Sequence, residues 1–454
     1  MSSISDAFSA ANWLGRQQSF KAILVSIFGA VVAFYWLSPF ATVEFGYVSA
    51  IIALTMIVLF HRLNYLHPVV AFVLPWLAIV GLSSLDISIY STIPNKETYL
   101  LILTNIWLAF FFDIIATSTF GLFPKGKSRK KEWKVAAIKK DWFRLFALLF
   151  FLLTTVNIAI AGYIPLVKGI TEGDTGYLSF GVNGLYGFYC AYANAFALLA
   201  FYTYLLTGKR GYLVFFAIVI FTFVLFVTRQ NVLSLIVEAI VLYGIVKKPI
   251  PLTRIVLLSA VFLVTFSVLG DFRSGDIKVL AGIKSEYQFI PNPFVWLYSY
   301  SYFNVLNLDN LINLSQAPYF DGTSVINLIP SFLRPSIVRE SYLEVIYFNV
   351  SSYLFPVYYD AGYTGTWLLT GGAIFLTVRY YRRIQNSPSF TELGTFAVLY
   401  FCALLSFFVN FWFYLPIIFQ VAIFRILSLS LRYEKLSPKV LSGQDRFVEG
   451  ARVT

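Results

Sequence analysis

The sequence has very little charge for its length. Only 34 lysines and arginines and 22 aspartates and glutamates occur among 454 residues, or 12% of the chain, where a soluble domain carries about 25%. With 59% hydrophobic residues, so few charges could not cover a water-facing surface of this size. The scarcity of charge excludes a soluble enzyme, a disordered scaffold and a nucleic-acid-binding domain, and it favours an integral membrane protein.

Cysteine and histidine are also scarce. The two cysteines, Cys190 and Cys402, both lie inside apolar runs, and His61 and His67 are the only histidines. Two isolated cysteines make neither a disulfide framework nor a metal-binding pattern. So few ligands of this kind argue against a zinc or redox-metal site, and we expect neither a metal nor a cofactor.

Long apolar runs, by contrast, are abundant. A helix that crosses a bilayer needs about 20 mostly apolar residues, and we count twelve candidates with soft ends. They cover residues 20–38, 46–61, 67–84, 98–122, 143–163, 184–206, 211–228, 231–246, 255–270, 348–378, 392–409 and 414–431. The sequence thus predicts an all-α, polytopic helical bundle of about twelve spans, forming a single transmembrane domain over residues 1–454. Eleven or thirteen spans remain open, because only a short segment separates the last two runs.

Basic residues indicate which way the bundle faces. Short cytoplasmic loops are enriched in lysine and arginine, and the segment 124–144 contains nine of them. If this segment is cytoplasmic, alternation of the spans also places Lys209-Arg210, Lys247-Lys248, the run Arg379–Arg383 and both termini there. The net charge of +12 is then mainly a topology signal from a rim that faces lipid headgroups, and no nucleic-acid partner is expected.

One loop on the predicted outer face is much longer than the others. It runs over residues 271–345, between the ninth and tenth spans, and is rich in aromatic residues. A structureless loop of that length is uncommon, so we expect short helices that lie in the interface or fold back over the mouth of the bundle. The sequence leaves open whether this loop is an ordered cap with an interfacial aromatic belt or a lid over a substrate cleft.

Arginines are grouped near this loop. Arg273, Arg334 and Arg339 lie within it, and Arg229 lies between the seventh and eighth spans. Guanidinium groups match phosphate oxygens in bidentate geometry and stay charged at any working pH, so the grouping favours a phosphate-bearing ligand. Each arginine taken singly also fits an interfacial or ion-pairing role, and Arg229 could instead reach the headgroups.

The predicted spans contain three acidic residues away from their ends. Asp113 and Glu238 fit structural hydrogen-bonding groups as well as functional ones. Asp360 lies in a run that Pro356, Gly362 and Gly365 interrupt. Irregular backbone at membrane depth is tolerated only where it is buried in protein or lines water, although the glycines also suit close helix packing.

In their order and spacing, these pieces resemble the bacterial Wzy-type oligosaccharide repeat-unit polymerases, which make O-antigen and enterobacterial polysaccharides. The resemblance covers most of the chain. The matching pieces are Thr228-Arg229-Gln230-Asn231 opening a span, Gly270-Asp271-Phe272-Arg273 opening a large outer loop, Tyr302–Asn307 within it, and Asn349–Gly365 at its exit. The last piece is similar to the family's frequent aspartate-x-glycine-x-x-glycine ending, here Asp360 to Gly365.

The resemblance implies an inverting, metal-independent membrane glycosyltransferase of the bacterial cytoplasmic (inner) membrane, with its active site on the periplasmic face. Its donor would be a growing glycan on undecaprenyl pyrophosphate, and its acceptor would be one repeat unit on the same carrier. The glycan moves onto an acceptor hydroxyl and undecaprenyl pyrophosphate is released. A polysaccharide chain-length regulator is a further expected partner, besides the lipid bilayer.

That chemistry gives the candidate residues their roles. Arg229, Arg273 and Arg339 would neutralise the pyrophosphate leaving group, with Arg334 held in reserve as a substrate-binding residue. Glu344 and Asp360 are the candidates for a general base that activates the acceptor hydroxyl. The residues expected to bind sugar faces and hydroxyls are Tyr287, Tyr302 and Asn304.

Three other functions compete with the polymerase. A lipid-linked oligosaccharide flippase or other transporter should show two similar halves with broken helices in matching positions, and the sequence shows no such repeat. The related O-antigen ligases typically carry a histidine in the outer loop, whereas residues 271–345 contain none. A structural membrane subunit without activity would have little use for a long loop rich in arginine and tyrosine.

Overall fold

A computed structural model describes residues 2–38, 43–121, 134–177, 179–335, 342–345, 348, 351–386 and 389–435. The helices, in chain order, are α1 (Ser2–Leu37), α2 (Val43–His61), α3 (Pro68–Leu82), α4 (Lys96–Gly121), α5 (Lys140–Ala161), α6 (Pro165–Glu172), α7 (Leu185–Thr207), α8 (Arg210–Leu225), α9 (Arg229–Val246), α10 (Leu252–Ser274), α11 (Ile277–Leu280), α12 (Asn292–Leu314), α13 (Leu354–Asn386), α14 (Phe390–Leu404) and α15 (Leu415–Ser428). Two strands, β1 (Lys134–Ile138) and β2 (Leu431–Lys435), form one antiparallel pair. The predicted helical class is confirmed, with this single ribbon added at its edge.

Each predicted apolar run coincides with one of these helices. Within the described residues, six stretches are long and apolar enough to cross a membrane: Ser19–Leu37, Lys96–Thr119, Lys140–Glu172, Leu185–Thr207, Arg229–Val246 and Leu252–Ser274. Helices α3, α8, α14 and α15, and most of α2, are apolar but shorter. The architecture is that of a membrane-embedded helical protein.

The outer surfaces of several helices are apolar. In α10, Val256, Leu257, Val261, Val264 and Val268 are all exposed, and α5 exposes Leu145, Leu148 and Leu152. Soluble monomers rarely expose contiguous apolar patches of more than a few hundred Å². Such faces suit lipid, whose acyl chains are as apolar as the side chains themselves.

Two cores hold the bundle together. One surrounds α7, where Ala193, Ala195 and Ala197 are fully buried and small enough to let neighbouring helices approach closely. The other surrounds α4 and includes residues of α1, α2, α3, α12 and α13. Within the second core, Gly371 of α13 lies against Phe112 of α4, and a Cβ added to this glycine would come within 2.4 Å of the ring.

The segment 271–345 is more ordered than a loop. It contains α11, a 3-10 turn over Ser285–Tyr287, the 23-residue α12 and a second 3-10 turn over Ile326–Leu328. Most of α12 is buried, and its Asp309 accepts hydrogen bonds from the Asn95 backbone N–H (2.7 Å) and the Thr98 hydroxyl (2.6 Å). The segment thus contains short helices and, in addition, one long buried helix that was not expected from the sequence. Because polar groups of α12 find partners on α4 and the preceding loop, the helix can pack inside the bundle.

Helix α13 contains the irregular backbone that its sequence suggested. Gly362 has φ +58° and ψ −151°, a conformation that a residue with a side chain rarely adopts, and the helix kinks there. The neighbouring segment 315–325 packs against the kink, where the Tyr319 N–H donates to the Tyr359 carbonyl at 2.9 Å. The kink thus lies against protein and not against lipid.

Helix α9 runs from one end of the bundle to the other. Its 18 residues span about 27 Å, close to the thickness of a bilayer's hydrocarbon core. At its C-terminal end, the Ile250 N–H donates to the Tyr65 hydroxyl (2.6 Å), and Asn64 donates to Tyr381 near the end of α13 (3.2 Å). The basic runs Lys247-Lys248 and Arg379–Arg383 therefore share one end, and Arg229 at the start of α9 lies at the other.

Candidate functional site

A cavity of about 1080 Å³ opens at the α9 N-terminal end of the bundle. Its walls come from the first turns of α7, α9 and α15, from α10 and α12, from residues 404–411 after α14, and from residues 327–334. The volume is in the range of cavities that hold drug-sized ligands. Three of the predicted arginines, Arg229, Arg273 and Arg334, line it; we call it the arginine cavity.

Arg229 is the most firmly held of the three. It is the first residue of α9 and is buried. Its Nη1 donates to the Phe266 carbonyl at 3.3 Å, and the guanidinium lies 4.3 Å from the Phe266 ring centroid and 5.3 Å from that of Trp296. Stacking on two aromatic faces fixes the plane of the guanidinium, and the Tyr300 hydroxyl also interacts with it. These contacts leave part of the five-donor fork for a ligand.

Arg273 and Arg334 are held more loosely. Arg273, in the last turn of α10, is half-buried, and its guanidinium lies 4.2 Å from the ring centroid of Tyr177. Arg334 is exposed, and its Nη2 donates to the Ile329 carbonyl at 3.3 Å. Among the described residues, no carboxylate forms a salt bridge with any of the three arginines.

The lining has cations but no described carboxylate. Most of its residues are apolar or aromatic, and the polar ones besides the arginines are neutral, such as Gln230, Asn231 and Tyr300. A partly buried positive charge without an acidic partner is costly, and an anionic ligand would offset that cost. The first turns of α7, α9 and α15 line the cavity and add the positive ends of three helix dipoles. In its chemistry, this lining suits an anion attached to an apolar group.

Gly270 allows the walls to come this close. A Cβ on this residue would lie 2.6 Å from Cζ2 of Trp296 and 2.7 Å from Nη1 of Arg229. Real Cβ atoms do not approach heavy atoms so closely, so any side chain at position 270 would displace the tryptophan or the arginine. This contact gives a physical reason for glycine in the Gly270-Asp271-Phe272-Arg273 motif.

The predicted sugar-binding residues lie elsewhere. Tyr302 is fully buried, and its hydroxyl is engaged by the backbone of residues 90 and 92 at 2.5–3.1 Å. Asn304 is buried in α12 and donates to the Tyr300 carbonyl, while Tyr287 packs beside α12 in a small apolar cluster. None of these three residues lines the arginine cavity. The aromatic rings that do line it, including Tyr177, Trp296, Tyr300 and Tyr414, were not selected from the sequence.

Both candidate bases also lie outside the cavity lining. Glu344 is exposed and accepts a hydrogen bond from the side chain of Asn310 at 3.1 Å. Asp360 is buried and fully occupied: it accepts from the Thr323 N–H at 2.9 Å and from the N–H and hydroxyl of Ser324 at 2.7 and 2.5 Å. This geometry makes Asp360 an anchor for the segment beside the α13 kink. The remaining predicted residue, Arg339, lies outside the described residues.

Sequence reasoning missed one polar cluster. At the α9 C-terminal end, Nε2 of His61 and Nε2 of His67 lie 3.6 and 3.7 Å from the two carboxylate oxygens of Asp113, and Lys21 forms an ion pair with the same carboxylate. His61, His67 and Asp113 are potential metal ligands, and their ligand atoms lie within 4.8 Å of one another. The only signal in the sequence was that both histidines flank one short connection and that an acid lies inside a span.

Comparison with protein-family models, with curated proteins and with solved structures found no match to this chain.

Proposed function

We propose that the protein is an inverting membrane glycosyltransferase that polymerises undecaprenyl-pyrophosphate-linked oligosaccharide repeat units. One observation supports this proposal above all: three arginines and no described carboxylate line a large cavity that is otherwise mostly apolar. A polyprenyl-pyrophosphate glycan has three parts, and the cavity offers a matching surface for each. Arginines suit the pyrophosphate, apolar walls suit the prenyl chain, and aromatic rings suit the apolar faces of sugars.

The wall formed by α10 gives the prenyl chain a route to lipid. Phe262, Leu263 and Phe266 of this helix line the cavity, while Val261, Val264 and Val268 are exposed on its outer face. A single layer of helix thus separates the cavity from lipid. We propose that the carrier enters beside α10 and leaves its pyrophosphate between Arg229 and Arg273.

The proposed reaction exchanges one bond for another. The acceptor hydroxyl attacks C1 of the reducing-end sugar of the donor glycan, and the bond from C1 to the pyrophosphate oxygen breaks. Undecaprenyl pyrophosphate leaves with the bonding electrons, and the hydroxyl proton passes to water. Negative charge therefore grows on the leaving oxygen, where guanidinium groups already positioned in a mostly apolar cavity stabilise it. Arg229 and Arg273 have this role in the proposal, with Arg334 at the mouth of the cavity.

The proposal also specifies how the protein is oriented in the membrane. The twelve helices that match the predicted spans would cross the bacterial inner membrane, with both termini and the basic runs in the cytoplasm. The α9 N-terminal end, and the arginine cavity with it, would then face the periplasm. Donor and acceptor glycans on the lipid carrier are the proposed partners, and a chain-length regulator is proposed from the family resemblance alone.

Reconstitution tests the proposal. The purified protein is incorporated into liposomes with its host's undecaprenyl-pyrophosphate repeat unit and without nucleotide sugar, and the products are resolved on a gel. We expect a ladder with the spacing of one repeat unit, absent from liposomes that lack the protein. Movement of the lipid-linked unit across the bilayer without a ladder would instead show a flippase. Transfer only to a lipid A core acceptor would show a ligase.

A further inference from the structure

A second, smaller cavity lies at the α9 C-terminal end, away from the arginine cavity. Its volume is about 230 Å³, and residues of α1, the end of α2, the start of α3 and the last turns of α13 form its walls. At about 30 Å³ per liquid water, it has the volume of roughly seven or eight water molecules. It can hold a small polar group but not an oligosaccharide.

The polar side chains of this cavity are hydrogen-bond donors. Lys21 and Arg382 are cations, and Asn64 and Gln385 carry amide N–H groups. His61 and His67 each have one ring N–H in the neutral form, and which nitrogen carries it depends on the partner. No described carboxylate lines the cavity. Donors that converge from three helices and the connection between α2 and α3, without a lining acceptor of negative charge, favour an anion.

Three nitrogen atoms around the cavity form no hydrogen bond within the described residues, although one of them, Nε2 of His61, faces the Asp113 carboxylate at 3.6 Å. Nε2 of His61, Nδ1 of His67 and Nε of Arg382 are buried and form no hydrogen bond in the described structure. Both histidines are more than nine-tenths buried. A buried polar atom without a hydrogen bond is costly and rare, so three of them around one cavity point to a polar ligand that pairs with them.

A metal ion explains this arrangement less well, although His61, His67 and Asp113 lie close together. Asp113 does not line the cavity, and the Lys21 ammonium already neutralises it through a short ion pair. Arg382 also lies near enough to both imidazoles to interact with them electrostatically. A divalent cation at this position would be repelled by Arg382, which forms no salt bridge with a described residue, whereas an anion would be attracted by it.

We propose that this cavity binds a phosphoryl group, held by Arg382 and Lys21 and by the free nitrogens of His61 and His67. The phosphoryl group comes either from a lipid headgroup or from inorganic phosphate in solution. Apolar side chains border the cavity on the α1 side, where Phe60 lies in its wall and Phe20 packs edge-on against Phe60 with half of its surface exposed. An acyl chain could lie along that surface while its headgroup occupies the cavity. The proposal does not depend on the polymerase activity.

Binding experiments in two arms test this site. In the first arm, the full-length protein in nanodiscs of phosphatidylcholine is titrated with radiolabelled inorganic phosphate. In the second arm, phosphatidic acid is added to the nanodiscs, and the amount retained by the protein and the shift of its thermal midpoint are measured. We expect saturable binding in at least one arm. Binding in the second arm only would identify a lipid headgroup, and binding in the first arm would identify free phosphate.

Variants assign the binding to the small cavity. Arg382→Gln should weaken binding about tenfold or more, because a charge-assisted contact to phosphate is lost. Arg383→Gln is the matched control, because Arg383 is exposed and lies outside the cavity lining. This substitution should change binding less than twofold. Gln385 also lines the cavity, at an exposed position on the rim. Gln385→Leu removes its amide donor with little risk to folding and should also weaken binding. Arg273→Ala separates this site from the arginine cavity, because the binding should survive it.

Four results would overturn the proposal. One is the absence of saturable binding in both arms. Another is equal weakening by Arg382→Gln and Arg383→Gln. A third is binding that disappears in Arg273→Ala but not in Arg382→Gln. The fourth is stoichiometric binding of Zn²⁺ that His67→Ala abolishes, which would show a cation site.

Discussion

Replacement of Arg273 by alanine is the sharpest test of the arginine cavity. The side chain contributes little to folding, because it is half-buried and forms no salt bridge with a described residue. Its guanidinium lies over the Tyr177 ring, 4.2 Å from the ring centroid. Such a stack near the surface is worth about 0.5–1 kcal/mol. Arg273→Ala should therefore fold, and its effect should fall on chemistry.

The expected loss of activity follows from the contact that Arg273 is proposed to make. A hydrogen bond to a charged group is worth about 1.5–3 kcal/mol, and 1.36 kcal/mol corresponds to a tenfold change in rate. Removal of Arg273 should then slow formation of the polymer ladder by about 10- to 150-fold. Arg273→Lys should fall between the wild type and alanine, because lysine keeps the charge but not the fork of donors.

The same helix offers the control. Arg254 is exposed near the start of α10, 19 residues before Arg273 and hence about 28 Å away along the helix. Arg254→Ala removes an equal charge from the same helix but none from the cavity, so its ladder should form at the wild-type rate. An Arg273→Ala protein that polymerises as fast as Arg254→Ala, at the same protein level and thermal midpoint, would refute the assignment.

Three further substitutions test other parts of the site. Arg229→Ala should slow polymerisation more than Arg273→Ala, by about 10²–10³-fold, because Arg229 is buried and its plane is fixed; an effect smaller than that of Arg273→Ala on the ladder rate would contradict this ranking. Asp360→Asn should lower stability by about 1.5–3 kcal/mol through weakened hydrogen bonds to residues 323 and 324, measured as a lower thermal midpoint. An Asp360→Asn protein of normal stability without activity would show a catalytic base instead. Gly270→Ala should cost about 1–3 kcal/mol by overpacking against Trp296 and should slow the ladder, whereas Gly372→Ala, which meets nothing within 4 Å, should do neither.

Helix positions could be predicted well because their cause is local. A run of apolar residues long enough to cross a bilayer must form its own hydrogen bonds, so the helix follows from composition and length. The arginine pattern was also readable, since a cation between two apolar runs is costly wherever it lies. Arg229 was selected on this ground, whereas Arg273, Arg334 and Arg339 were selected because they group in the predicted outer loop. Arg229, Arg273 and Arg334 line one cavity, and Arg339 lies outside the described residues.

Residues chosen by type alone did not lie in that cavity. Tyr302 and Asn304 belong to a segment read as an outer loop, but α12 turns them into the bundle. Asp360 resembled a general base in its motif, yet the backbone N–H groups of residues 323 and 324 occupy its carboxylate. In each case the partner is remote in the sequence or lies on another element, and no local pattern reports it.

By itself, the sequence determined that this is a helical membrane protein, and it indicated that Arg229, Arg273 and Arg334 lie toward the end opposite the basic runs, because hydrophobicity, helix length and charge act on each segment separately. Only the tertiary structure decided which groups meet. It placed Gly270 against Trp296 and Arg229, left the arginine cavity without a described carboxylate, and brought His61 and His67 to Asp113 at the opposite end. These juxtapositions depend on how helices distant in the chain pack, and packing is a property of the whole fold.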